Sequence, residues 1–130
     1  MGIKCIFRIL LVILLLCLIG CRGPEIRREE IPCKAASAIS SSATANGKIT
    51  IAWDTNTDDK LAGYKVYYGF SSKKYKECVD IGNPTESSPG VIKFTLIGLE
   101  RGIKYYIAVI TYNKNNNRSL FSSEVSTVAE

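Results

Sequence analysis

Two hydrophobic patterns divide this chain of 130 residues. The first is continuous. Ile9 to Ile19 is an eleven-residue apolar run broken only by Cys17, and it comes after a short cationic start with Lys4 and Arg8. Eleven residues at ~1.5 Å rise span ~17 Å, against the ~30 Å of a bilayer core that takes about twenty residues to cross. A charged start, a short apolar core and a small residue (Gly20) at its end form the secretory pattern, so residues 1–20 are expected to be removed on export. The second pattern begins at Ser37 and alternates with period two. Ile49, Ile51 and Trp53 alternate with Thr50 and Ala52; Tyr64, Val66 and Tyr68 with Lys65 and Tyr67; Ile92, Phe94 and Leu96 with Lys93 and Thr95; Tyr105, Ile107 and Val109 with Tyr106, Ala108 and Ile110.

Such alternation, rich in β-branched and aromatic residues, is the signature of half-buried strands. The breaks carry turn residues: Asn46-Gly47, Asp58-Asp59, Gly69 to Lys74, Gly82-Asn83-Pro84, Pro89-Gly90 and Asn115-Asn116-Asn117. Weaker runs at residues 35–41, 75–80 and 124–127 bring the count to about seven strands. With no helical periodicity between them, the expected fold is an all-β antiparallel sandwich.

Residues 22–36 alternate in charge and hold Pro24 and Pro32, which reads as a flexible or extended spacer. Pro32 and Cys33 can equally open an edge strand. The stretch from Ser37 to Glu130 is long enough for one core and too short for two. The domain organisation expected is therefore residues 1–20 signal, 21–36 tether and 37–130 one sandwich.

Composition narrows the chemistry. There is no histidine, so neither a Ser-His-Asp nor a Cys-His arrangement exists, and no glycine-rich phosphate loop is present. Asp54, Asn56 and Asp58 have the spacing of a calcium loop, but Asp59 stands where glycine is needed and Lys65 where the bidentate glutamate belongs; the stretch reads as a loop between the second and third strands. Once residues 1–20 leave, taking Lys4, Arg8 and no acid, the net charge falls from +5 to +3. The bases are scattered except for Lys73, Lys74 and Lys76, which reads as a solvated turn, and no nucleic-acid partner is expected. Of five cysteines, Cys5 and Cys17 leave with the signal. Two thiols without histidine make a poor zinc shell, and no metal or other cofactor is expected.

Leu18-Ile19-Gly20-Cys21 resembles the lipobox of bacterial lipoproteins. The resemblance implies cleavage between Gly20 and Cys21 and lipid on the Cys21 thiol and amine. Several acyl chains, each buried CH2 contributing ~0.8 kcal/mol, make such an attachment effectively permanent. Arg22 comes next, where enterobacterial lipoproteins kept at the inner membrane carry Asp. The resemblance therefore implies an envelope protein anchored in the outer membrane, if the cell has one. A signal cut elsewhere would leave Cys21 incidental.

The sandwich itself resembles a fibronectin type III domain. Trp53 stands where that family keeps a tryptophan in its second strand. The segment from Leu61 to Gly69 (LAGYKVYYG) matches its third strand, and Leu99 to Tyr105 (LERGIKY) its approach to the sixth, with Arg101 where proline is usual. The resemblance covers residues 37–130 and implies a seven-stranded immunoglobulin-like sandwich with Trp53, Tyr64, Val66, Leu99 and Tyr105 in its core. It implies that the Tyr105 hydroxyl bonds backbone a few residues upstream. It also implies that Cys33, before the first strand, and Cys78, late in the fourth, meet at one pole and form a disulfide. The third and sixth strands are neighbours in this fold, so Tyr67, Tyr106, Ile110 and Tyr112 are expected to make an outward strip flanked by Lys65 and Lys104. Tyrosines on a rigid sheet suit contact with protein or sugar; cross-strand packing is the plainer use of the same residues. A second candidate is the loop pole at residues 54–60, 84–89 and 113–118. The expected function is a lipid-anchored, non-catalytic binding or assembly module for an envelope protein, with a surface polysaccharide as the alternative partner.

Overall fold

The computed structural model describes residues 30–39 and 45–130. The signal, Cys21, residues 22–29 of the tether and residues 40–44 lie outside the described residues. Residues 31–130 form one compact unit that carries the whole described core, the organisation of a domain able to fold alone.

Seven strands are present: β1 (Cys33–Ala35), β2 (Gly47–Asp54), β3 (Leu61–Gly69), β4 (Glu77–Gly82), β5 (Val91–Leu99), β6 (Lys104–Asn113) and β7 (Val125–Val128). They make a five-stranded sheet in the order β1-β4-β3-β6-β7 and a two-stranded sheet, β2-β5. Period-two alternation puts Ile49 and Ile51 of the small sheet against Tyr64, Val66, Tyr68, Tyr105, Ile107 and Val109 of the large one, with Ile92, Leu96 and Leu99 completing the core. Trp53 sits at the margin of this core, half-buried, its ring centroid 5.6 Å from that of Tyr64. Among the described residues, no helix is long and apolar enough to cross a membrane.

Three details depart from the sequence reading. The first strand is Cys33–Ala35 rather than residues 35–41, and Ala36–Ala38 turn in a short 3-10 helix. Residues 33–35, read within the tether, are thus part of the sheet. β1 also runs parallel to β4, the exception in an otherwise antiparallel fold. The chain enters beside the start of β4 and needs no hairpin there, so parallel pairing is open to it. Cys78 is the second residue of β4 and lies early in that strand, not late. The strand starts at Glu77, and Tyr75, just before it, donates its hydroxyl to Glu124. Cys33 is paired in register with Cys78, with their Cα atoms 4.4 Å apart, and the two are joined by a disulfide.

The chain end ties the two sheets together. Lys48 and Glu130 exchange both backbone hydrogen bonds, at 2.9 and 3.1 Å. This gives the sandwich two poles. One gathers Lys48, the β3–β4 turn, the β5–β6 turn and the end of β7. The other gathers residues 54–60, 83–90 and 113–118.

Candidate functional site

β3 and β6 pair along their length, Lys65 opposite Ile110 and Tyr67 opposite Ala108. With Tyr64, Val66, Tyr105, Ile107 and Val109 turned to the core, the alternate residues Lys65, Tyr67, Tyr106, Ile110 and Tyr112 face outward. They do not make an open tyrosine strip. Tyr67 and Ile110 are only 5% and 4% exposed, and with Cys78 they form a second small core. Ile31, Cys33 and Tyr75 pack against it. The Phe121 ring meets Tyr67 edge-on, at 5.1 Å between centroids, and lies 5.1 Å from Tyr75. Burial raises the Tyr67 hydroxyl above its ordinary pKa, and the Asp80 charge adds to this.

The serine-rich stretch after Arg118 supplies this cover. Ser119 and Ser122 donate their backbone N–H groups to the carbonyls of Thr111 and Val109. Their hydroxyls accept from the N–H groups of the same two residues, each at 3.0 Å. Side-chain oxygens thus stand in for a backbone partner. The chain hugs β6 without continuing the ladder, lays Phe121 over the outer face and leaves Leu120 91% exposed.

Tyr112 is committed too. Its hydroxyl donates to Asp80 at 2.8 Å, and the Lys65 ammonium lies 4.8 Å from its ring centre and 3.9 Å from the Asp80 carboxylate. Burial first, then the Asp80 bond and charge, push Tyr112 up to about 12. Lys65 is itself buried, so the trio is a closed network. Tyr106 remains. It is half-buried between Gly69 and Ser126, with the Lys104 ammonium 5.3 Å from its ring centre. Of the four residues read as a binding strip, Tyr67 and Ile110 are core, Tyr112 is locked, and Tyr106 alone keeps an uncommitted hydroxyl among the described residues.

The loop pole is pinned by its own side chains. The Asn56 N–H donates to the Tyr64 hydroxyl at 2.8 Å, Asp58 N–H to Asn56 Oδ1 and Lys60 N–H to Asp58 Oδ1. Two of the three D-x-N-x-D side chains, Asn56 and Asp58, therefore cap backbone amides, the usual behaviour of Asx turns. Asn113 Oδ1 accepts from Asn115 and Asn117 in the same way. A shallow cleft of about 250 Å³ lies between Lys60 and Asn115, and a larger one of about 590 Å³ runs between Trp53 and the 119–123 segment. Trp53 Nε1 and Thr55 Oγ1 are buried without a hydrogen-bond partner.

Comparison with known proteins agrees with this geometry at the level of fold. No family model matches the chain, and no curated protein matches it. Among solved structures, it is similar to the FN1–FN3 domains of chicken CNTN1, with a TM-score of 0.52 and 18% identity over 75% of this chain. The match spans 32% of that structure, about a third of its length. The fold is fibronectin type III-like. The tyrosine corner is present: Glu100 N–H donates to the Tyr105 hydroxyl at 3.0 Å.

Two surface groups were missed from the sequence. Leu120 and Phe121 carried a signal, an apolar pair inside a serine-rich loop. Glu124 carried none. Its carboxylate accepts from the Tyr75 hydroxyl at 2.6 Å, Ser72 Oγ at 2.7 Å and Lys73 N–H at 2.7 Å, partners about fifty residues away. These bonds, Tyr75's first, hold it below the usual carboxylate range.

Proposed function

We propose that this chain is a lipid-anchored, non-catalytic binding module of the cell envelope that contacts a protein partner. The exposed lip formed by Leu120, Phe121 and Val125 beside the larger cleft carries the reading. Leu120 and Val125 lie outside the buried cluster of the sheet face, and Phe121, which roofs Tyr67, still leaves about half of its surface exposed; clustered apolar exposure of this kind marks contact surfaces. The fibronectin type III-like fold, commonly a protein-binding or adhesive scaffold, fits the role. The lipobox-like segment ending at Cys21 supports the anchor.

The test is a crosslinked pull-down from envelope extract with residues 22–130, before and after digestion of polysaccharides. A discrete protein band that survives digestion and is lost in Leu120→Ser, with an unchanged melting temperature, is the expected outcome. Retention that disappears with the polysaccharide would replace the protein partner by a glycan. For the anchor, Cys21→Ser should move the exported chain from the detergent phase to the aqueous phase. Recovery of that variant in the detergent phase would defeat the lipid reading.

A further inference from the structure

The two poles differ in charge. The pole where the chain enters the sheet presents Lys48, Lys73, Lys74, Lys76, Arg101 and Lys104, all exposed. Against these six bases stand Glu100, Glu124 and Glu130, while Glu77 beside Lys76 is paired with a seventh base, Lys34, at 2.9 Å, and Glu124 accepts three hydrogen bonds. The opposite pole carries Asp54, Asp58, Asp59 and Glu86 against Lys60, Lys114 and Arg118. The basic pole also exposes Phe70 (53%) and Ile103 (39%). The Phe70 ring rests on Tyr105, with centroids 5.1 Å apart, which holds it on the rim of the sandwich. The β3–β4 turn is held upright there. Lys76 N–H donates to the Tyr68 carbonyl, Lys73 N–H is bound by Glu124, and the Lys74 carbonyl packs where a side chain at Gly69 would stand, 2.6 Å from an ideal Cβ.

The covalent entry point lies at this end. Cys33 is opposite Cys78, two residues beyond Lys76, and the disulfide fastens it there. Twelve residue steps separate Cys21 from Cys33. Fully extended they reach ~40 Å at most. A bilayer holding Cys21 therefore stays within reach of the basic pole.

We propose that this pole docks on an anionic lipid bilayer, with Phe70 and Ile103 at headgroup depth and Lys73, Lys74, Lys76 and Lys104 against the headgroup charge. Bases close to an anionic leaflet each strengthen partitioning about fivefold, and aromatic and aliphatic side chains settle at the interface. The anchor proposed above supplies the setting, but the surface does not depend on it. Docked this way, the sandwich points Leu120 and the acidic loop pole away from the membrane.

The experiment is sedimentation of residues 22–130, without lipid, with vesicles of mixed phosphatidylglycerol and phosphatidylcholine, and with phosphatidylcholine alone. Binding to the mixed vesicles only is expected, weakening as salt is raised. The triple change Lys73→Gln, Lys74→Gln, Lys76→Gln should lower partitioning about a hundredfold, the product of three such steps. The pair Lys60→Gln, Lys114→Gln at the far pole should leave it unchanged. Phe70→Trp should add a blue-shifted emission on the mixed vesicles. Thermal melting checks that each variant is folded. Equal binding to phosphatidylcholine alone, or equal loss in the far-pole pair, would overturn the proposal. Retention on an acidic polysaccharide with none on vesicles would reassign the pole to a glycan. Because the protein carries no lipid, none of these results turns on the fate of Cys21, and the Leu120 capture assay is scored separately.

Discussion

Tyr105 does two jobs at once: its ring lies in the core beside Tyr68 and Phe70, and its hydroxyl takes the Glu100 N–H. Tyr105→Phe keeps the ring and removes the acceptor, leaving that amide without its partner. A loss of about 0.5–1.5 kcal/mol is expected, read as a shift in the urea midpoint with an unchanged slope. The outer-face tyrosines differ from Tyr105 in what they meet. Tyr67 and Tyr112 look alike in the alternation, yet one is roofed by Phe121 and the other holds a carboxylate. Period two assigns each residue to a face and is silent on what lies over that face, because Phe121 and Asp80 come from distant parts of the chain.

Titration belongs to the same scale. Tyr68 and Tyr112 are both pushed up to about 12, chiefly by burial, and Tyr67 and Tyr75 are raised as well. A folded-state pKa above the unfolded value of 10.0 contributes stability that is fully present below pH 10 and is lost as pH rises through the folded value. The domain should therefore lose stability in the window from pH 10 to about 12, with delayed tyrosinate absorbance marking the buried groups. Glu124 runs the other way. Its folded pKa lies below 4.5, so its contribution is present above pH 4.5 and disappears as pH falls through the lowered value. A carboxyl resonance of Glu124 that titrates at or above 4.5 would contradict the three hydrogen bonds described for it.

Among the elements, β1 and β7 depend most on distant contacts. β1 has three residues and pairs with β4 through two adjoining constraints, the parallel ladder and the disulfide. Cys33 and Cys78 are 45 residues apart in sequence. Closing a loop of that length restricts the unfolded chain by about 4 kcal/mol. Reduction, or Cys33→Ser with Cys78→Ser, should lower the guanidinium midpoint accordingly. Amides of β1 should then exchange fastest, because three residues of pairing do not hold an edge alone. An unchanged midpoint would mean that β1 docks without its link. β7 is exposed along all four residues, pairs with β6 and is fastened at its two ends by the Glu124 hydrogen bonds and the Glu130–Lys48 backbone pair. Residues 124–127 read as a weak strand for the same reason: the local signal is slight and the fastening is remote.

For the whole molecule, the division of charge between poles and the entry of the chain at Cys33 make the sandwich polar along its length. That asymmetry is invisible in a net charge of +5, or +3 without residues 1–20. Lys73, Lys74 and Lys76 cluster in sequence. Lys48, Arg101 and Lys104 join them only because the β2 start and the β5–β6 turn close at the same end.

Period-two alternation and turn residues were enough to establish the strands β2, β3, β5 and β6, the inward set of β3 and β6, and the sandwich class, because half-burial in a sheet imposes its period on the sequence directly; the first strand, read at residues 35–41, lies at Cys33–Ala35 instead. The fibronectin type III resemblance rested on local motifs that carry fold. The parallel docking of β1, the roof over Tyr67 and Ile110, the Lys65–Asp80–Tyr112 network and the gathering of bases at one pole were decided only by the tertiary structure. Each joins segments well apart in the chain, and no local period encodes such a meeting; loop closure and packing select it.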